Sequence, residues 1–204
     1  MSSGDGDGHH HMTVPDLDQA ARRLAALLDG VPDSALPTST PCADSSVATL
    51  LDHIMGLSEA LAASARKEAT GAAAASADHL DPDWRAILPG RLDALVAAWR
   101  EPGAGEGMTS AGGLTLPAAD VAAVTLDELV LHGWDLARAT GQPYECDDRA
   151  LDAVGGFVLQ FAGPDQADLR GDAYGAPVEL PASASHLDRV VALSGRNPSW
   201  TPAA

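Results

Sequence analysis

Cysteine is scarce in this chain: Cys42 and Cys146 are the only two in 204 residues. They are too few and too far apart for a disulfide framework. Aromatic side chains make up only 4%, although 46% of the chain is apolar and alanine dominates. Small helix-favouring residues in that proportion point to closely packed helices rather than a sheet. Positive charge is also short. The formal net charge of −17 argues against a nucleic-acid backbone or an anionic membrane as partner and indicates a solvated acidic surface. Lys67 is the single lysine among the basic residues, which reads as a composition bias. No apolar run approaches the length of a membrane span and no signal-peptide pattern opens the chain, so the cytoplasm is the expected compartment. There is no phosphate-cradling glycine loop, no nucleophile elbow and no Cys-x-x-Cys.

The length suits one good-sized domain with an appendage. Residues 1–12, MSSGDGDGHHHM, read as a disordered or tag-like tail outside the fold. Leu17, Ala20, Ala21, Leu24, Leu27 and Leu28 recur at helical spacing, with Gly30 as a stop. A Pro- and Ser-rich loop follows. A second helix starts near Ser45 or Ser46 and carries the stripe Val47, Leu50, Leu51, Ile54, Leu57, Leu61, with His53 at its border. After the low-complexity linker GAAAASADHLDPD, Trp84 to Trp99 predict a third helix, kinked by Pro89 or begun at Gly90. A glycine-rich connection, residues 101–114, leads to the fourth, Leu116–Gln142, with Pro117 in its first turn and Gly141 at its end. Four helices joined this way predict a four-helix bundle over residues 13–142. Residues 143–204 add a helix over Leu151–Phe161, an extended or loop-like AYGAPVELP and a last short helix opened by Ser185 and closed by Gly195. They read as a helical appendage packed on the bundle.

The fourth helix is apolar almost all the way round, as a buried helix is. Yet it carries Glu128 and His132, four apart and so stacked on one face, with Asp135 a turn further on. A carboxylate and an imidazole in such a place are costly unless paired. Bundle interiors are where metal sites are built from facing helices. His53, Glu128 and His132 have the residue types for a divalent ion with one position open. Zinc accepts this set without a redox requirement; iron, nickel and manganese remain open. The plain alternative is a hydrogen-bonded His–Glu–His cluster in an ordinary bundle. Asp135 would accept the second N–H of a ligand histidine or bond to a neighbouring helix. Arg138 would hold an anionic substrate group or a surface carboxylate. Cys42 lies before a helix N-terminus, which favours a thiolate, against the plainer reading of a buried structural thiol.

TPCADSSVATLLDHIMGL and TLDELVLHGWDLARATGQ, with the closing ASHLDRVVALSGRNPSW, resemble the DinB-like metal-binding bundles. The likeness is to the actinobacterial branch related to the N-terminal domain of mycothiol-dependent maleylpyruvate isomerase. It covers most of residues 15–200. The resemblance implies an all-α four-helix bundle with a divalent metal, commonly zinc, held by a second-helix histidine and a fourth-helix Glu-x-x-x-His pair: His53, Glu128 and His132 here. It implies a mycothiol-using S-transferase or isomerase-like enzyme acting on a small thiol and an electrophilic substrate. Where many relatives have a Trp before the helix-opening Ser, this chain has Ser45. A non-catalytic metal sensor and a metal-dependent hydrolase are the alternatives, and self-association is left open.

Overall fold

The computed structural model describes residues 14–68, 74–171 and 173–202. The expected tail, residues 1–12, and the start of the alanine-rich linker lie outside them. Four helices form the frame: α1 (Asp18–Leu28), α2 (Val47–Ala65), α3 (Trp84–Arg100) and α4 (Ala118–Thr140). α1 packs against α3 and α4, and α2 packs against the same two, so the four close around one apolar interior. α1 buries Ala20, Ala21, Leu24, Leu27 and Leu28, the stripe its spacing predicts. The Ser46 hydroxyl accepts from the Thr49 N–H at 3.2 Å and so caps α2. α3 begins at Trp84 and runs on through Pro89 rather than starting at Gly90. Pro89 forfeits one backbone bond, but Trp84 and Leu88 before it and Leu92, Leu95 and Trp99 after it are all buried in the interior. Each such side chain is worth about 1.5–3 kcal/mol, enough together to offset the break.

The glycine-rich connection contains a hairpin that the sequence reading did not assign. Strands β1 (Met108–Ala111) and β2 (Leu114–Pro117) pair antiparallel, with Ala111 opposite Leu114. Between them Gly112 and Gly113 both take positive φ, 57° and 79°, the backbone a two-residue hairpin turn needs. Pro117 therefore precedes α4 instead of occupying its first turn, and Gly141, left-handed at φ 68°, ends the helix.

α5 (Asp148–Val158) packs on α4 and α7 (His186–Leu193) on α5, with the one-turn α6 (Ala167–Arg170) between. α4 is thus covered on both sides, which is why it is apolar all round. The chain before α7 runs extended along that helix's end: the Gly175 N–H donates to the Ser194 carbonyl at 3.0 Å and the Val178 N–H to the Ala192 carbonyl at 2.9 Å. A Cβ on Gly195 would run into the Gly175 backbone, and one on Gly175 would press tightly against Gly195. Their contact sets Tyr174 and Arg196, the residues beside them, into one register.

Candidate metal centre

The i, i+4 spacing on α4 puts Glu128 and His132 on one face, and α2 brings His53 opposite. His132 Nε2 lies 2.8 Å from Glu128 Oε2, and His53 Nε2 lies 3.5 Å from the same oxygen. The imidazoles stand nearly perpendicular, 86°, with centroids 4.9 Å apart. One donor atom from each residue falls within 4.8 Å of the other two. Ligand atoms of a tetrahedral site with bonds of about 2.1 Å are separated by about 3.4 Å. Two imidazoles and a carboxylate at this spacing fit a divalent ion.

The support behind them is built from distant sequence. Asp135, 0% exposed, meets His132 Nδ1 through Oδ2 at 3.0 Å. Arg196, brought by the C-terminal segment, clamps the same carboxylate: Nε donates to Oδ1 at 2.9 Å and Nη2 to Oδ2 at 2.9 Å, while Nη1 donates to Ser194 Oγ. With Nδ1 engaged, His132 presents Nε2 to Glu128. Burial opposes charge on Glu128, but His132 and His53 outweigh it and hold the carboxyl below its ordinary range. Burial likewise opposes charge on His132; Glu128 and Asp135 prevail and raise it to about 9. Burial works to raise Asp135 too, and Arg196 and His132 overcome it, keeping it below its ordinary value.

A cavity of about 270 Å³ opens beside the three donors. Cys42, Ser45, Thr49 and His53 line it from the α2 side, Asp127, Glu128 and His132 from α4, and Tyr174 and Arg196 from the C-terminal segment. Ser45 is therefore part of the wall. The turn before α2, with Asp44 at φ 56° and the Thr40 hydroxyl bonded to the Cys42 carbonyl, carries Cys42 to within 4.8 Å of His132 and Asp135 donor atoms. Burial, then Asp135 and Glu128, push the Cys42 thiol up, with only Arg196 opposing, so the helix N-terminus does not produce a thiolate here. Arg138 takes no part in the lining. Its guanidinium donates to the Pro198 carbonyl and stands 5.6 Å from the Trp134 ring, tying the C-terminal segment to α4.

Three lining residues are ones the spacing argument does not reach. Arg196 and Tyr174 sit more than forty residues from α4 partners they bond to. Asp127 was visible as a further acid in an apolar helix, beside Glu128. It is 3% exposed and its Oδ2 accepts from the Tyr174 hydroxyl at 2.6 Å. Burial is the main cause that pushes it up, to about 7, against the Tyr174 hydrogen bond.

Fold and site together define a DinB-like helical bundle with a candidate two-histidine, one-carboxylate centre. The chain belongs to the mycothiol maleylpyruvate isomerase N-terminal domain family, whose model matches residues 17–137. Two uncharacterised proteins of Mycobacterium tuberculosis, from strains H37Rv and CDC 1551, are each 28% identical to it over 87% of this chain and 94% of theirs. Crystal structures of the mycothiol-dependent maleylpyruvate isomerase share the fold, covering 74% of this chain and 69% of that one. A histidine-to-alanine mutant superimposes with a TM-score of 0.58 at 16% identity, and a second structure gives 0.52 at 15%. Among the described residues no helix is long and apolar enough to cross a membrane.

Proposed function

We propose that this protein is a cytoplasmic metal-dependent thiol transferase, with zinc held by His53, Glu128 and His132 and mycothiol as the thiol. In this reading residues 13–142 are the metal-binding bundle and 143–204 an appendage that completes the cavity wall. The observation that carries it is the convergence of three donor atoms at the edge of a cavity large enough for part of a substrate. The family, with structural neighbours that depend on mycothiol by their description, supports the choice of thiol. Zinc at this centre supplies a Lewis acid that lowers the pKa of a coordinated thiol, giving a nucleophile near neutral pH.

The chain's own residues do the rest. Asp135 and Arg196 orient His132, and Glu128 Oε2 stands 2.8 Å from His132 Nε2 and 3.5 Å from His53 Nε2. His53, Glu128 and His132 would hold the ion, with His132 binding as the neutral ring through Nε2 while Nδ1 stays on Asp135. Leu50 and Leu131 contribute apolar surface to the wall. The raised Cys42 thiol stays protonated and does not compete as a nucleophile. A cavity at the donors speaks for catalysis over a closed sensor site. Asp127, a buried carboxyl in the same cavity, favours metal-assisted hydrolysis as the second reading; that reading predicts cleavage of activated esters with no thiol present.

The test is to load the purified protein with zinc, measure its stoichiometry, and follow mycothiol consumption against a panel of epoxides, alkyl halides and Michael acceptors. Thiol loss that requires both metal and protein is the expected result. One tightly bound equivalent of zinc with no mycothiol consumed across the panel would overturn the transferase reading.

A further inference from the structure

Among the described residues, Asp127 is the one lining carboxylate that the centre does not use. Its residue precedes Glu128, so its side chain leaves α4 about 100° round from the ligand and reaches a different part of the same cavity wall. Tyr174 satisfies Oδ2, but Oδ1 is buried and has no hydrogen-bond partner among the described residues. Leaving a buried carboxyl oxygen without a partner is expensive. The chain does not relieve it with the nearby guanidinium, because Arg196 is committed to Asp135 and Ser194. Tyr174 is itself fixed, stacked on Phe161 at 5.5 Å and set in register by the Gly175–Gly195 contact. The acceptor is therefore held in place at a cost, with one oxygen free.

We infer that Asp127, oriented by Tyr174, is the specificity-determining acceptor for a hydrogen-bond donor, an amide N–H or a hydroxyl, carried close to the sulfur of the thiol substrate. The inference rests on the reading of this cavity as a thiol site. The cavity beside the donors is about 270 Å³. It takes the thiol end of a larger molecule, so the donor that meets Asp127 stands only a few bonds from the sulfur.

The experiment uses the full chain loaded with cobalt, whose thiolate absorption band reports sulfur binding directly. N-acetylcysteamine offers an amide donor, 2-mercaptoethanol a hydroxyl, and 1-propanethiol neither. The wild type is expected to bind at least one donor-bearing thiol about tenfold or more tightly than 1-propanethiol, and which one gains identifies the donor. Asp127→Asn keeps an oxygen for Tyr174 but turns the free acceptor into an N–H. It is expected to weaken the preferred thiol about 10–100-fold while 1-propanethiol affinity and one equivalent of cobalt are retained. Without ligand it melts close to the wild type, since Tyr174 keeps its acceptor. Tyr174→Phe loses the orientation of the carboxylate and shifts the same preference in the same direction, which covers an unfolded Asp127→Asn. Unchanged preference in both variants, with cobalt stoichiometry intact, overturns this inference and leaves the thiol reading standing. Absence of the thiolate band with all three thiols in the cobalt-loaded wild type overturns the thiol reading itself.

Discussion

Replacing Arg196 by leucine isolates the device that holds the centre together. In the native chain three hydrogen bonds of 2.9–3.1 Å join its guanidinium to Asp135, and neither side chain meets appreciable solvent: Asp135 is 0% and Arg196 9% exposed. Arg196→Leu leaves Asp135 buried with only His132 beside it. Breaking a buried pair by removing one partner costs about 3–5 kcal/mol, which in a domain of this size lowers Tm by roughly 6–20 °C. Because Asp135 is held below its ordinary value of 3.8, its favourable contribution is present above that pH and is lost as pH falls through the folded-state value. The deficit of the variant is accordingly full at pH 7 and closes in acid. Urea denaturation of metal-free protein at pH 7 measures it. The double variant Asp135→Leu/Arg196→Leu recovers most of the loss, because an apolar pair replaces both charges. Zinc affinity of the single variant falls about 10–100-fold as His132 loses its orientation. A single variant within about 1 kcal/mol of wild type, or a double variant no better than the single, refutes the reasoning.

Three further outcomes follow from the same structure. Zinc at a hundredfold excess over its dissociation constant should stabilise the wild type by about 2.7 kcal/mol, roughly 5–11 °C in Tm, and His132→Ala should abolish that shift; a variant that still responds rules His132 out as a ligand. Gly195→Ala forces a Cβ into the Gly175 backbone at a position with φ 84°, so chemical denaturation should show a loss of about 2–5 kcal/mol and zinc binding should weaken with it, because Arg196 is displaced. Burial, then Asp147, push the Cys146 thiol from 9.0 up to about 11. At pH 8 its alkylation by iodoacetamide should run roughly a hundredfold slower than in urea-unfolded chain, read by peptide mass spectrometry; equal rates would contradict the shift.

Much of the frame was legible in the linear pattern. Leu24, Leu27 and Leu28 repeat at helical spacing and are buried as that spacing requires. The near-continuous apolar character of α4 announced a helix covered on both sides, and Gly141 its end. Pro89 left two starts open, and the helix begins at Trp84, because the penalty for one lost backbone bond is local while the burial of Trp84 and Leu88 is a tertiary gain. The hairpin was missed although Gly112-Gly113 is a two-residue turn signal; its flanking strands are four residues each, too short for an alternating pattern to stand out.

Glu128 and His132 belong together by sequence alone, since four residues of α-helix bring any two side chains onto one face. Residue types and a family resemblance were enough to add His53 as the third candidate. Distances between elements follow no such period. That Arg196 clamps Asp135, that Tyr174 holds Asp127, and that Arg138 turns to the Pro198 carbonyl instead of the cavity were decided only when the C-terminal segment docked on α4. Helical repeats are encoded by neighbours along the chain, whereas which charge meets which across sixty residues is settled by how the packed elements bury them.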